Sequence, residues 1–544
     1  MEPMRPTFFF FFLITGSLYS YAQNTVPVIS ELTVEVDPAQ RQVNWSFDLE
    51  DAEETQVEVW VRISADSGKS YTPLRENLSG DVGPGVSVGP NKRITWSYPD
   101  TLPGLGSSTL LVAQIVADDG FEIDIQEWVD QVDSNRLWSD LQWLEGIRHS
   151  VTGLDRLRTT QDSLENRFLR YGLQARRHLF SVGDYEAANI IGDQPGKRQS
   201  RKVYIVDAHF DTLSDSPGAD DNASGLVGVL EAARILSAYD FEKSLRFVGF
   251  DQEEVGLVGS VRYVTDEIPE EEEIEGVLNL EMIGYYCEEI LCQSIPAGFD
   301  LFFPEAIAAL TEIQFRGIFL SNVANTASSE LGQLFDTAAA RYVPELLVIP
   351  LVVPGNGELA PDLQRSDHSP FWFADWPALM LTDGSEFRNP NYHEPTDTVG
   401  SLNLNFLTNV VKAVVATAAE GARPLHVGIG ISPFFRLSDI TSVSEKEPLV
   451  KNIRVFPNPA YERVSVQLAL SARAKVRMEV YDVKGRLVGR LGQYNWPAGI
   501  REVEWAPEGG LEAGLYLLRI QSLPTNGELE VREKKFLWSQ KHRH

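Results

Sequence analysis

At 544 residues the chain is long enough for about three to five domains, and 43% apolar residues with 11 Trp, 17 Tyr and 27 Phe exclude wholesale disorder. Asp and Glu outnumber Lys and Arg by 78 to 47, a formal charge of -31 that disfavours nucleic acid and anionic membrane surfaces as partners. Two cysteines can neither staple a chain of this size nor build a Cys-rich zinc site, so any metal must be held by His and carboxylates.

Residues 1–22 carry Arg5, an apolar run from Phe8 to Ile14, and Ser20 and Ala22 at the spacing of a small-residue cleavage site. That is the pattern of a secretory signal, with a mature chain expected to start at Gln23 and to be exported. No later stretch is long and apolar enough to predict a membrane helix. In 23–118 the pattern has period two: Val43, Trp45, Phe47 and Leu49, then Val57, Val59, Val61 and Ile63, alternate with polar residues. This predicts a β-sandwich of immunoglobulin or fibronectin type. It holds no His and no Cys, so chemistry is not expected there.

Residues 119–424 change character. Short apolar runs (Val203–Ala208, Leu245–Phe250, Val277–Leu280, Ala378–Leu381) alternate with amphipathic stretches such as Ser224–Tyr239. Alternation of this kind predicts an α/β domain with a mixed, largely parallel central sheet flanked by helices. The acidic run Glu270–Glu273, extended by Glu275, reads as a solvated loop. Residues 425–450 read as a polar linker, and 451–544 as a second β-sandwich, with strands around Val464–Leu468, Val476–Val480 and Tyr516–Ile520.

Each of the four middle runs leads into ionisable residues just past its C-terminal end, the edge at which open α/β sheets build their sites. The first is followed by His209 and Asp211, then by Asp220 and Asp221 ahead of a helix. The second is followed by Glu253 and Glu254, the third ends at Glu281, and a loop after the fourth carries His393. Two His with several carboxylates and no Cys suit zinc, with manganese or cobalt as alternatives. A hydrolytic centre also needs a base that is not a ligand, and adjacent Glu253 and Glu254 can divide those roles. Asp211, two residues past His209, can orient that imidazole. Taken singly, a His-x-Asp, a Glu pair after a strand and an acidic helix N-terminus are all common as plain structure. Their conjunction at four strand ends points to one site.

The segments AHFDT, PGADDNASG, DQEEVGLVGS, NLEMIGY and NYHEPTDT resemble the co-catalytic zinc aminopeptidases related to bacterial leucyl aminopeptidases, in order and over about 300 residues. The resemblance implies two zinc ions bridged by Asp220, one adding His209 and Glu281, the other Glu254 and His393. It further implies a cis Asp220–Asp221 peptide bond, a zinc-bridged hydroxide, and Glu253 as the general base in release of N-terminal residues from peptides. The family usually has Asp where this chain has Glu281, which bears on how tightly that ion is held. Asp221, and His368 in Ser366-Asp367-His368-Ser369, are expected beside the ligands or along the substrate.

In an exported chain Cys287 and Cys292 are expected to pair as a disulfide. The C-terminal Val455–Pro459, Tyr481–Val488, Ala513–Tyr516 and Lys534–Lys535 segments resemble the sorting domain of type IX secretion substrates, which implies a secreted or outer-membrane-surface protein of a Gram-negative bacterium and the type IX machinery as a partner. Two rival readings share the fold: a glutaminyl-peptide cyclotransferase, and a catalytically inactive receptor or adhesion protein.

Overall fold

The structure, a computed structural model, describes residues 24–437 and 449–538, apart from 69–70, 100–108, 297, 457–459, 461–462, 483–485, 508–510, 512–513 and 525–529. The expected signal and residues 438–448 of the expected linker lie outside the described residues, as does part of the expected sorting motif set. Among the described residues no helix is long and apolar enough to cross a membrane.

The first element group is a pair of sheets around one core. One sheet orders Val28–Asp37, Gln42–Glu50, Gly89–Ser97 and Leu78–Gly80; the other orders Val427–Ile431, Val112–Asp118, Gln56–Ser64 and Thr72–Leu74. Val43, Trp45, Phe47, Leu49, Val57, Val59 and Val61 are all buried between them. The period-two pattern thus sets which face of each strand is interior.

One strand of this pair comes from the stretch expected to begin the linker. Val427–Ile431 runs antiparallel to Val112–Asp118, and Phe435 meets Trp45 edge-on with ring centroids 5.9 Å apart. Glycines disguise the strand in the sequence, because Gly428 and Gly430 occupy its buried positions. A Cβ on Gly428 would stand 1.6 Å from the Pro27 carbonyl oxygen, and one on Gly430 would stand 2.4 Å from Ile29 Cγ2. The close backbone approach requires glycine, and glycine reads as a loop.

The central sheet has eight strands. In chain order they are β1 (Gln174–Val182), β2 (Tyr185–Gln194), β3 (Gln199–His209), β4 (Lys243–Phe250), β5 (Glu273–Glu281), β6 (Leu320–Asn325), β7 (Val348–Val353) and β8 (Ala378–Thr382). Their spatial order is β7-β6-β8-β5-β3-β4-β2-β1. Strands β8, β5, β3 and β4 are mutually parallel, so their C-terminal ends lie along one edge, while β1 and β2 form an antiparallel border. Helices α1 (Leu154–Arg170), α2 (Gly225–Leu236), α3 (Ser329–Tyr342) and α4 (Leu404–Ala422) cover the sheet. α2 buries all but one of its twelve residues, and the middle of α4 is buried almost all round, consistent with their central place in the core.

The acidic run is less solvated than its composition suggests. Glu272 takes a two-pronged ion pair from buried Arg246 at 2.8 and 2.9 Å, and Glu275 receives Lys243 at 2.5 Å and Lys202. Two of the run's acids therefore anchor strands, which their sequence neighbours cannot reveal.

Residues 440–544 form a separate unit. Val450–Phe456, Val464–Leu470 and Gly499–Trp505 make one sheet, and Leu487–Trp496, Ala474–Asp482, Gly514–Pro524 and Glu530–Trp538 make the other. Val464, Val466, Leu468, Val476, Met478 and Val480 fill the space between them.

Candidate metal centre

His209 is the last residue of β3 and Glu281 the last of β5; these parallel neighbours present both side chains at the same sheet edge. Glu253 and Glu254 follow β4 across a turn opened by Gln252 at φ 63°. Asp221 sits in the segment entering α2, and His393 in the loop after β8, also in the left-handed region at φ 62°.

These residues converge. His209 Nε2 is 3.3 Å from Asp221 Oδ1, 3.5 Å from Glu281 Oε2 and 3.9 Å from Glu253 Oε2. His393 Nε2 is 3.2 Å from Asp221 Oδ2 and 3.4 Å from Glu254 Oε2. Two triads result, His209–Asp221–Glu281 and Asp221–Glu254–His393, each with its ligand atoms close enough to share one ion.

The residues fit zinc on their spacing. Ligand atoms at about 2.0–2.1 Å from a tetrahedral ion stand about 3.3–3.4 Å from one another, which matches the measured separations. His209 Nε2 is buried and makes no hydrogen bond of sound geometry despite two carboxylates beside it, as expected of a ligand atom and not of a paired polar group.

The shared residue is Asp221, not Asp220, and the cis peptide bond is Asp221–Asn222, one residue later than the resemblance implies. The Asp220 carboxylate turns the other way and accepts the Gly284 amide at 2.9 Å and Asn389 Nδ2 at 2.7 Å. The backbone leaves helical geometry at Asp221 (φ -101°, ψ 89°), and there the two side chains diverge. In a run of two identical acids the sequence does not distinguish which one faces the site.

His368 is also placed differently. It is fully buried, its Nε2 hydrogen-bonds the Leu363 carbonyl at 3.0 Å, and its ring stands edge-on to Trp372. Burial depresses its pKa to about 4, so it is a neutral core residue away from the substrate cleft. The neighbour that touches a triad is Ser366, whose hydroxyl donates to Glu281 Oε2 at 2.8 Å; beside it Asp367 is a buried carboxylate whose pKa is pushed up to about 7 by burial.

Asp211 has its role one step back from the ligands. Its Oδ1 is 3.6 Å from His209 Nδ1, and its carboxylate accepts the backbone amides of Glu253 at 3.0 Å and Glu254 at 3.2 Å. One side chain thereby ties the first ligand to the turn bearing the other two acids. Asp397, four residues past His393, does the same for the shared ligand by accepting the Asp220 and Asp221 amides at 2.9 and 3.1 Å. It lies in a quoted segment, but a lone Asp after a loop carries no sequence signal of its own. Arg148 carries none either: completely buried, it donates to the carbonyls of Leu144, Gly146, Phe210, Pro217 and Gly218, bracing the loop between His209 and Asp221.

Concentrated acid shapes the electrostatics. Burial would depress His209, but the Glu253 charge and the Asp211, Asp221 and Glu281 carboxylates hold its pKa well above the imidazole value. Burial likewise works against His393, and Asp221 with Glu254 carry it to about 10. Burial pushes the Glu253 carboxyl well up, and Glu254 to about 7. So many buried acids around two imidazoles call for positive charge at the centre.

Glu281, Arg365 and Tyr392 separate two spaces. On one side is an open cleft of about 280 Å³ bordered by Asp221, Glu253, Glu254 and His393. On the other is a partly open, mainly apolar cavity of about 90 Å³ lined by side chains including Phe299, Leu310, Phe319, Val323, Leu351 and Met380.

Residues 189–418 match Peptidase family M28, and residues 454–528 match the Secretion system C-terminal sorting domain. The chain is 28% identical over 320 residues to the uncharacterized protein YfbL of Escherichia coli K12, covering 53% of this chain and 91% of that one. It is 42% identical over 256 residues to aminopeptidase YwaD of Bacillus subtilis 168, covering 46% of this chain and 48% of that one, so it spans about half the length of that relative. Among solved structures it is similar to the LapA aminopeptidase of Legionella pneumophila at 22% identity and a TM-score of 0.42, over 56% of this chain and 77% of that one. All five residues of the two triads fall inside the span that matches Peptidase family M28, and the span that matches the Secretion system C-terminal sorting domain follows it in the chain.

Proposed function

We propose that the protein is an exported zinc aminopeptidase that removes apolar N-terminal residues from peptides. The observation that carries this reading is Asp221 shared between two His-carboxylate triads, with a further carboxylate, Glu253, beside them but in neither. Two zinc ions at the triads would supply Lewis acidity to the scissile carbonyl and to the attacking water.

The chain's own residues do the rest. Glu253 stands at the cleft wall, where it takes the water's proton and returns it to the leaving amine. Burial raises its pKa well above the usual carboxylate value, and cations at the triads would lower it again. Asp211 and Asp397 hold the backbone of the acid-bearing segments, so the carboxylates need little reorganisation during the reaction. The apolar cavity beside Glu281 and Tyr392 takes the terminal side chain, and the surrounding acids favour a free ammonium group.

Zinc-loaded full-length protein, incubated with a Leu-initiated peptide and its N-acetylated form, tests the reading. Mass spectrometry is expected to show free leucine from the first only, with release abolished by a chelator. Cleavage of the acetylated peptide would overturn it. A Gln-initiated peptide turned to its pyroglutamyl form without residue release would assign a cyclotransferase instead, and inertness with no bound zinc would assign a receptor. The sorting domain supports export by the type IX route to the surface of a Gram-negative cell; a chain ending at residue 450 is then expected to accumulate inside the cell envelope.

A further inference from the structure

We propose that the Cys287–Cys292 disulfide is a positioning device for the apolar cavity, setting the protein's selectivity for large N-terminal side chains; this rests on the aminopeptidase reading of the site. The bridge joins two stretches with different tasks. Ahead of it, residues 282–285 form the floor of the metal centre: the Met282, Ile283 and Gly284 amides bond Asn222, Ser224 and Asp220, and the Tyr285 amide bonds Asp383 at 2.7 Å. Behind it, Gln293, Ser294, Ile295, Pro296 and Phe299 form a wall of the cavity.

The bridge is also clamped across the chain to the opposite wall. The Cys287 amide donates to the Gly317 carbonyl at 2.9 Å, the Gly317 amide meets Cys292 Sγ at 3.3 Å, and the Gln293 amide donates to Phe315 at 2.9 Å. Buried Arg388 closes the frame, its Nε on Gln293 Oε1 and its Nη1 on the Phe319 carbonyl, both at 2.7 Å. Gln293 and Phe319 both line the cavity, so a shift of the bridge moves two of its walls together.

A general stabilising role accounts for the bridge less well. It closes a loop of only six residues, which constrains the unfolded chain little. The residues inside the loop, Glu288, Glu289, Ile290 and Leu291, are exposed, so it gathers no core of its own. What it does fix is the angle at which the chain leaves the metal floor and enters the cavity wall.

The test compares wild type with C287S/C292S as zinc-loaded full chains. Two readouts are taken: amide hydrogen exchange, and KM with kcat for Leu- and Ala-initiated peptides. Exchange at residues 293–303 is expected to quicken about tenfold while residues 277–284 stay protected. KM for the Leu peptide is expected to rise about fivefold or more, with kcat and the Ala peptide's kcat/KM within about twofold of wild type and zinc content unchanged. Unchanged exchange at 293–303, or an equal loss on both peptides, would overturn the proposal. Should the Ser pair not fold, C287A/C292V is measured instead; failure of both to fold would make the bridge a staple of the whole domain and likewise overturn it. If wild type releases no terminal residue the aminopeptidase reading fails, while the exchange comparison still judges the bridge.

Discussion

Asp220 and Asp221 are neighbours in sequence and face opposite ways. Asp221 places one oxygen 3.3 Å from His209 Nε2 and the other 3.2 Å from His393 Nε2, whereas both oxygens of Asp220 are taken by Gly284 and Asn389. The two acids are therefore expected to differ sharply under the same substitution. Asp221→Asn should lower zinc affinity by more than about 100-fold, because it removes a ligand from both triads. Asp220→Asn disturbs only the support behind them, at a cost of about 10–100-fold. Zinc content by elemental analysis after dialysis against a graded chelator reads the difference, and equal losses would count against Asp221 as the shared ligand.

Glu253 is beside the triads without belonging to either. Glu253→Gln should keep the zinc content of wild type while lowering kcat by about 10²- to 10⁴-fold, the usual contribution of a positioned general base. The same change at Glu254 should lose zinc from its triad. If Glu253→Gln loses metal and Glu254→Gln does not, the two roles are exchanged.

His368 makes stability depend on pH. Its pKa is about 4 in the fold, against about 6.5 unfolded. Between those values the unfolded chain binds the extra proton, so stability rises with pH: the contribution is fully present above about 6.5 and is lost as pH falls toward 4. Full loss amounts to about 3 kcal/mol. Denaturant unfolding at several pH values, for wild type and His368→Leu, isolates this contribution from that of the buried acids. The variant should lack the extra decline between pH 6.5 and 4, and parallel curves would place His368 in contact with solvent.

Much of the architecture was legible from residue patterns. Period-two alternation located two strands of the first sandwich and three of the second, and the four short apolar runs lie inside β3, β4, β5 and β8. Both signals are local, since they depend only on which side chains of a strand can be buried. The failures were local signals overridden by distant partners. Glycines that make room for Pro27 and Ile29 hid the strand at Val427–Ile431. Glu272 and Glu275 looked solvated because Arg246, Lys243 and Lys202 lie elsewhere in the chain. His368 was expected beside the ligands or along the substrate because its segment resembles the family, but its surroundings, Leu363 and Trp372, make it core.

Charge shows the same division. Residues 440–544 carry 17 Lys and Arg against 12 Asp and Glu, so the whole acidic excess of the chain lies in residues 1–439. Part of it has a structural account there, in the acids of the metal centre and those that pair with Arg246, Lys202 and Lys243.

By itself the sequence determined which residues could hold a metal: without Cys ligands, such a site had to rest on His and carboxylates at strand ends, and those residues stand in ordered segments of the chain. Only the tertiary structure decided which carboxylate is shared, because that depends on where a side chain points when the backbone enters α2, and Asp220 and Asp221 are chemically identical. It also decided that Asp211, Asp397 and Arg148 brace the ligands and that an apolar cavity opens beside them. Those relations join residues far apart in the chain, and local pattern carries no record of such partners until the chain is folded.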